Sequence, residues 1–134
     1  MMNTEDQFVM AFIRPEKQER YRELLANPKR RRAFLGKLAH SYDFVTECCV
    51  EIPSSEQTPE GIEQRLRKLG AGSTCLAVSE NAQLDGKEHD LRKVLEAIVG
   101  FGQGTCLSCV PGKLGYYEGE DMEERMILHK KDKK

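Results

Sequence analysis

A Cys-x-x-Cys pair, Cys106 and Cys109, is the motif of this sequence that most suggests chemistry. Such a pair binds zinc or exchanges disulfides when the backbone brings both sulfurs to one side. Here the segment Cys106 to Val110 is predicted to be a β-strand, in which side chains three positions apart point to opposite faces. A zinc site would need further ligands, and the three histidines lie in separate segments, at His40, His89 and His129. We therefore predict that both thiols pack in the core, with no metal and no cofactor; a redox or metal role is the alternative.

A polar loop, Ser79 to Gly86, follows the short apolar segment Thr74 to Val78. Ligands of open α/β sheets bind at the carboxyl ends of strands, which is where this loop would lie. Its carboxylates could bind a cation or act as acid and base, and its hydroxyl and amide groups could orient a ligand. The loop therefore predicts a ligand site, and a plain surface turn is the alternative. The candidate ligand-binding residues are Ser79, Glu80, Asn81 and Asp85.

A glycine-rich segment, Gly100-Phe101-Gly102-Gln103-Gly104, resembles a phosphate-binding loop in its letters. Phosphate-binding glycine loops lead from a strand into the N-terminus of a helix, where unpaired N–H groups meet the anion. This segment leads out of a predicted helix into a predicted strand. We therefore interpret it as a chain reversal and not as a nucleotide site.

The charge of the chain is unevenly distributed, although its net charge is only -1. Residues 14–40 hold nine Lys or Arg against three Glu, whereas residues 41–129 hold eight against sixteen acidic residues. A basic cluster in the first region could neutralise the phosphates of a nucleic acid. Alternatively, it could dock on the acidic remainder, in the same chain or in a partner subunit. The candidate anion-binding or partner-binding residues of this cluster are Lys29, Arg30, Arg31 and Arg32.

Two adjacent tyrosines, Tyr116 and Tyr117, stand at the end of a predicted strand. Because neighbouring strand residues point to opposite faces, one ring should face inward and the other outward. An exposed tyrosine is a common anchor in protein recognition. We therefore add Tyr117 to the candidate partner-binding residues; the alternative is that it shields the edge of the sheet.

The elements that must position these residues alternate along the chain. The apolar segment Thr74 to Val78 predicts a strand covered on both faces. From Asp90, apolar residues spaced by three and four positions predict a helix that lies on a sheet. After the strand that contains Cys106, Pro111-Gly112 predicts a tight turn into an antiparallel strand, Leu114 to Tyr117.

Further elements extend this block on both sides. Phe44 to Ile52 predicts the first strand, Thr58-Pro59-Glu60 the start of a helix that Gly70 ends, and Arg125 to His129 a last strand. The resulting β-α-β-α-β-β-β order favours an α/β (or α+β) fold with a mixed sheet of about five strands. Two right-handed crossovers would place the first three strands parallel.

Two or three N-terminal helices are expected to pack on this sheet. Thr4 is predicted to cap a short helix that contains Phe8 to Ile13, and a strand is the alternative for so short an apolar run. Prolines predict the starts of a second helix, over residues 15–26, and of a third, over residues 28–40. Because the second helix is followed so closely by the third, the chain must turn sharply between them, and the two should form a compact V or hairpin.

A length of 134 residues is most simply one domain over residues 1–129, with a basic helical hairpin at 14–40 and a sheet-helix body at 44–129. The charged residues 130–134 are predicted to be a flexible tail. The longest N-terminal apolar run is too short to span a membrane or to form the core of a signal peptide. Together with five cysteines, an odd number, in apolar contexts, this indicates a cytoplasmic protein with reduced thiols.

These residues do not define one biochemical activity. Because no nucleophile-base pair, metal ligand set or phosphate loop can be recognised in the sequence, we favour a small cytoplasmic binding or regulatory module over an enzyme. Its expected partner is another protein or a second copy of itself, as in a homodimer, and no membrane association is expected. The alternatives are a nucleic-acid-binding protein that uses the basic helices, and a small enzyme or ligand-binding domain with its site at the Ser79 to Asp85 loop.

Overall fold

The computed structural model describes residues 3–37, 43–119 and 124–131. Within these residues, six strands form one sheet: β1 (Cys49–Glu51), β2 (Thr74–Ser79), β3 (Glu88–Asp90), β4 (Thr105–Val110), β5 (Leu114–Glu118) and β6 (Arg125–His129). Their spatial order is β1-β6-β5-β4-β2-β3, and every neighbouring pair is antiparallel. The two edge strands, β1 and β3, have only three residues each.

Helices cover both faces of this sheet. The described residues contain α1 (Thr4–Phe12), α2 (Gln18–Ala26), α3 (Arg31–Lys37), α4 (Pro59–Lys68) and α5 (Leu91–Ile98). One apolar cluster joins α1, α2 and α3 to the sheet face that carries Val78, Cys106 and Tyr117. The other joins α4 and α5 to the opposite face, which carries Ala77, Leu107 and Tyr116. The predicted class, a mixed helix-and-sheet fold with N-terminal helices packed on the sheet, is confirmed.

Several local signals position these elements as the sequence predicts. Thr58 caps α4, since its hydroxyl oxygen accepts the Gly61 N–H at 3.0 Å. Asp90 caps α5 in the same way, and its carboxylate accepts the Lys93 N–H at 3.0 Å. In the turn after β4, Gly112 has a φ of 72°, which a residue without Cβ adopts at little cost.

The expected parallel arrangement is wrong, and the strand count is six instead of five. The additional strand, β3, pairs antiparallel with the start of β2. This hairpin reverses the chain before α5, so α5 returns it to the opposite end of the sheet and β4 enters antiparallel to β2. Three polar residues, Glu88 to Asp90, show no apolar alternation, which is why the pattern did not indicate a strand.

Three boundaries also differ from the prediction. The first strand is limited to β1, because residues 46–48 form a turn of 3₁₀ helix before it. Asn3, not Thr4, caps α1: its side-chain oxygen accepts the Asp6 N–H at 2.7 Å. The third helix begins at Arg31 instead of residue 28, and its expected extension to His40 lies outside the described residues.

Candidate functional site

Arg31 joins the basic N-terminal helices to the loop that was predicted to bind a ligand. Its guanidinium donates to both carboxylate oxygens of Asp85, each at 3.0 Å. It also donates to both carboxylate oxygens of Glu5, at 2.8 and 2.6 Å, and to the carbonyl oxygen of Leu25 at 3.0 Å. Hydrogen bonds to Glu5 and then Asp85 raise the pKa of Arg31. Arg31 therefore docks within its own chain, which is one of the two alternatives left open for the basic cluster.

The remaining polar groups of the loop bond to the protein as well. The Ser79 hydroxyl lies 2.8 Å from the Thr105 hydroxyl and accepts the Asn81 N–H at 3.1 Å. The Asp85 carboxylate accepts the Ser79 N–H at 3.1 Å. The Glu80 carboxylate accepts the Gly104 N–H at 2.7 Å. A cation at this loop would have to displace these donors, so the geometry matches a well-bonded turn more closely than an open ligand site.

One small cavity lies between the N-terminal helices and the sheet. A cavity of about 10 Å³ is lined mainly by apolar residues between α1 and the sheet, including Phe8, Leu25 and Val78. That volume holds about one water molecule. Within the described residues, no group of three or more His, Cys, Asp or Glu side chains is arranged to hold a metal ion. Ligand binding by Ser79, Glu80, Asn81 and Asp85 remains a prediction.

The other members of the basic cluster lie on the surface. Lys29, Arg30 and Arg32 are exposed, and Arg32 also donates to the carbonyl oxygen of Glu80 at 3.3 Å. A role for the basic cluster in binding an anion or a partner therefore remains a prediction.

Tyr117 does not face solvent, and the expectation of an exposed anchor is wrong. The two neighbouring rings do point to opposite faces, but Tyr116 is 0% and Tyr117 2% exposed. The reason is that helices cover both faces of the sheet, with Phe44 stacked edge-on against the Tyr117 ring at 5.1 Å between centroids. The residue pattern of one strand does not show whether helices cover both faces of its sheet.

The Cys-x-x-Cys thiols lie on opposite sheet faces, as predicted. Cys106 packs in the α1–α3 cluster and Cys109 in the α4–α5 cluster. Burial raises the pKa of Cys106. A hydrogen bond with Cys75 and burial raise the pKa of Cys109. All five cysteines are free thiols.

Two N–H groups of the glycine-rich segment donate hydrogen bonds to carboxylates of the same chain. The Gly100 N–H donates to Glu118 at 2.9 Å, and the Gly104 N–H donates to Glu80 at 2.7 Å. Glu118 is 1% exposed and also accepts from the Tyr116 hydroxyl at 2.7 Å and from Arg125 at 3.2 Å. The segment thus acts as a chain reversal fixed by one buried acid, Glu118, and one partly buried acid, Glu80, in line with its interpretation from the sequence.

A groove lies between the C-terminal end of α4 and strand β6. It consists of two adjoining concavities of about 530 and 400 Å³, which share Leu69, His129 and Lys131. We call this feature the α4–β6 groove. Leu69 is 39% exposed, and Val50 and Val110 are partly exposed at its sides. The groove therefore offers apolar surface to a ligand.

The charge of the α4–β6 groove is positive. One carboxylate lines it, that of Glu56, and Arg65 donates to both of its oxygens at 2.9 and 3.0 Å. The hydrogen bonds from Arg65 lower the pKa of Glu56. The other charged residues that line the groove are all lysines, at Lys68, Lys113, Lys130 and Lys131. An acidic ligand would therefore be attracted to a surface that is also partly apolar.

Reasoning from the sequence missed this groove. Lys130 and Lys131 belong to the segment that the sequence predicts to be a flexible tail. The Lys130 backbone N–H donates to the carbonyl oxygen of Lys113 at 2.8 Å. The lysines come from α4, from the turn after β4 and from the end of β6, which are distant in sequence. Only the strand order brings them together, and no local pattern encodes that order.

Comparisons with known proteins reveal no relative. The sequence matches no protein-family model, and it matches no curated protein and no solved structure. Among the described residues, no helix is both long enough and apolar enough to cross a lipid bilayer. The fold and the groove are therefore the basis for a functional assignment.

Proposed function

We propose that this protein is a small binding module that engages an acidic segment of a protein partner through the α4–β6 groove. The observation that carries the proposal is the combination of a partly exposed apolar surface, at Leu69, with lysines on both sides, at Lys68 and Lys131. Apolar contact supplies affinity, while positive charge steers an acidic ligand and selects against a basic one.

The state of the candidate catalytic groups supports binding over catalysis. In the described part of the chain, the acids most suited to acid-base chemistry, Glu80, Asp85 and Glu118, each accept hydrogen bonds from protein donors. Asp85 and Glu118 are also ion-paired to an arginine. Groups held in this way stabilise the fold and are poorly placed to exchange protons with a substrate.

The edges of the sheet support a groove as the binding surface. A partner that adds a strand needs an open edge with several unpaired backbone groups. Here the edge strands are the three-residue β1 and β3, and short edges are one way in which proteins prevent such pairing. Side-chain recognition in a concave surface is the better-supported mode.

We place the protein in the cytoplasm. All five cysteines are unpaired, and four of them are buried in the apolar core, at Cys48, Cys75, Cys106 and Cys109. An oxidising compartment favours disulfides, whereas reduced, buried thiols are typical of proteins that fold in the cytosol. The binding function does not depend on this location.

A fluorescence-anisotropy titration tests the proposed function. The probe is a Glu-rich peptide with one central Phe, compared with the same peptide carrying Ser in place of Phe. We expect the Phe peptide to bind, and the double variant Lys68→Glu with Lys131→Glu to weaken its binding by about tenfold or more, which is about 1.4 kcal/mol. Added salt should weaken binding as well.

The matched control is the double variant Lys29→Glu with Arg30→Glu, which changes the charge by the same amount at the exposed basic cluster. We expect this control to bind the peptide as tightly as the unmodified protein, within about twofold. No binding to either peptide, or equal weakening by the two double variants, would show that the groove is not the site. Far-UV circular dichroism establishes that each variant is folded.

Nucleic-acid binding is the second candidate, because Lys29, Arg30 and Arg32 remain exposed near the start of α3. A labelled single-stranded oligonucleotide in the same assay separates the two functions. Binding that the Lys29→Glu, Arg30→Glu variant abolishes, and that the groove variant leaves intact, would favour a nucleic-acid partner. The slope of the logarithm of the binding constant against the logarithm of the salt concentration would then give the number of phosphates that the protein neutralises.

A further inference from the structure

Cys109 has a cysteine neighbour that lies outside the Cys-x-x-Cys motif. Cys75 of β2 and Cys109 of β4 both belong to the apolar cluster of α4 and α5, at 3% and 9% exposure. The thiol of Cys75 is the hydrogen-bond partner of the Cys109 thiol. The two sulfurs therefore meet on one face of the sheet, whereas Cys106, the other cysteine of the motif, packs on the opposite face.

The register of β2 and β4 explains this contact. The two strands are antiparallel, and the last pair of their ladder is Leu76 opposite Ser108. Cys75 and Cys109 are the next residues on the two strands, so their side chains leave the sheet side by side. The two cysteines are far apart in sequence, and only the pairing of these strands brings them together.

The position of the two cysteines suits a disulfide. At the other end of the ladder, the Glu80 N–H donates to the carbonyl oxygen of Gly104 at 2.9 Å, which marks a hydrogen-bonded pair. Hydrogen-bonded and non-hydrogen-bonded pairs alternate along antiparallel strands. Cys75 lies an odd number of positions from Glu80, so it faces Cys109 at a non-hydrogen-bonded position. Cα atoms there are about 4.5 Å apart, and disulfides join Cα atoms about 4.4 to 6.8 Å apart.

A small reagent can reach this pair from the edge of the sheet. The outer neighbour of β2 is the edge strand β3, where His89 lies opposite Cys75. β3 has only three residues, and Glu88 and Asp90 are exposed. Short segments with few buried contacts open more readily than the core. Opening of β3 therefore uncovers the side of Cys75 while the central strands stay folded.

We propose that Cys75 and Cys109 form a reversible redox modification site, at which the folded protein makes an internal disulfide when it meets a small-molecule disulfide such as oxidised glutathione. The site is independent of the α4–β6 groove and of its proposed partner. In the cytoplasm, where we place the protein, disulfides are transient and serve redox sensing or catalysis. The structure assigns this role to a pair of residues that the sequence motif does not indicate.

The reaction is two successive thiol–disulfide exchanges. One protein thiolate attacks a sulfur of the small disulfide, whose S–S bond breaks and releases the first small thiol. The second protein thiolate attacks the protein sulfur of this mixed disulfide, forms the Cys75–Cys109 bond and releases the second small thiol. Two electrons pass from the protein to the reagent, and the protons of the two protein thiols end on the two released thiols.

Thiol counting in a Cys49→Ser background tests the proposal, because the less buried Cys49 would otherwise react first. Four of the five cysteines remain in this variant. The folded protein is incubated with oxidised glutathione, and its free thiols are then alkylated in urea and counted by mass spectrometry. We expect the count to fall from four to two with no glutathione attached, and excess dithiothreitol to restore four.

The matched control adds Cys106→Ala to this background, which removes a buried thiol of the same strand on the opposite face. Trypsin leaves Cys106 and Cys109 in one peptide, so this control also identifies the bonded residue. We expect it to form the disulfide, with the Cys75 and Cys109 peptides linked. Cys75→Ala and Cys109→Ala in the Cys49→Ser background should instead keep all three of their thiols.

The proposal is overturned if the thiols of the folded protein persist, if the linked peptides contain another cysteine, or if the disulfide forms only in urea. The linked peptides of the Cys106→Ala control decide the question even where a Cys75 or Cys109 variant does not fold, and circular dichroism shows which variants do. The oxidised protein should also unfold at a higher urea concentration, since the bond restricts the unfolded chain. A lower midpoint would show that the two strands must move to form it.

Discussion

Arg31 and Asp85, 54 positions apart in sequence, form a two-pronged ion pair with both N–O distances at 3.0 Å. The fork fixes α3 on the loop that follows β2, and Glu5 of α1 binds the same guanidinium. Three segments of the chain thus meet at one planar cation, whose five donors fit two carboxylates in a way that an ammonium group cannot.

Replacement of this cation should destabilise the fold. In Arg31→Met, the carboxylates of Glu5 and Asp85 would face each other without a counter-ion, at 15% and 22% side-chain exposure. We expect the free energy of unfolding to fall by about 2 kcal/mol, less than for a fully buried pair because water reaches both acids. The stability of Arg31→Lys should lie between that of the unmodified protein and that of Arg31→Met, since lysine cannot form the two-pronged ion pair.

Urea denaturation measures this loss, and Arg30→Met is the matched control. Arg30 is an exposed neighbour of the same type, so its replacement should change the free energy of unfolding by less than about 0.5 kcal/mol. Equal stabilities for the two methionine variants would mean that the fork contributes nothing.

A second ion pair, Glu118 with Arg125, is more deeply buried. The two side chains are 1% and 9% exposed, and Glu118 also binds the Tyr116 hydroxyl and the Gly100 N–H. Glu118→Gln would leave Arg125 without its counter-ion, and we expect a loss of about 3 kcal/mol of stability. Thermal or urea unfolding measures it, with Glu96→Gln as the control, because the Glu96 carboxylate is 56% exposed in its pair with Arg92.

The same pair offers a test of additivity. If the cost of Glu118→Gln comes from the uncompensated charge of Arg125, then adding Arg125→Met should recover part of the lost stability. A double variant that is no more stable than Glu118→Gln alone would contradict this account.

Helix starts, strand order and ion pairs differ in how far the sequence predicts them. The start of α4 could be predicted at Thr58 because its cap is a local hydrogen bond between residues three positions apart. The start of α5 could be predicted at Asp90 because the apolar residues after it are spaced by three and four positions. The strand order could not be predicted. β1 pairs with β6 at one edge of the sheet, and no residue pattern in either strand indicates that it pairs with a strand so distant in sequence. The same limit applies to Arg31: its basic neighbours are visible in the sequence, but which of the four arginines and lysines turns inward depends on the tertiary fold.

Thiol reactivity should follow burial and not the Cys-x-x-Cys motif. Cys49 is only partly buried, whereas the other four cysteines are buried. Burial raises the pKa of Cys49 as well as those of Cys48 and Cys106, so the accessibility of the sulfur, and not its pKa, distinguishes Cys49. In the native protein at neutral pH, we expect a disulfide reagent such as dithionitrobenzoate to modify Cys49 about tenfold faster than the others, which react only as the structure opens.

Cys49→Ser should remove the fast phase and leave the slow phase unchanged, as followed by absorbance of the released thiolate. Joint rapid modification of Cys106 and Cys109, or zinc binding that protects them, would restore the redox or metal interpretation of the motif. The opposite-face positions of these two residues argue against both.

Two buried phenols should make the protein lose stability at high pH. Burial and the Asp43 carboxylate raise the pKa of Tyr21, which donates its hydroxyl proton to Asp43. Burial and then the charge of Glu118 raise the pKa of Tyr116.

Both tyrosines keep their proton in the folded state at a pH where the unfolded chain, with an ordinary phenol pKa near 10, has lost it. The folded state then binds more protons, so the free energy of unfolding falls as pH rises above about 10, by about 1.4 kcal/mol per unit for each group, and is unaffected by these groups below that pH. Urea denaturation at about pH 8, 10 and 11, which bracket the ordinary pKa of a phenol, measures the slope. Tyr21→Phe combined with Tyr116→Phe should flatten it, whereas a double variant that keeps the full slope would show that other groups, such as lysines, control alkaline unfolding.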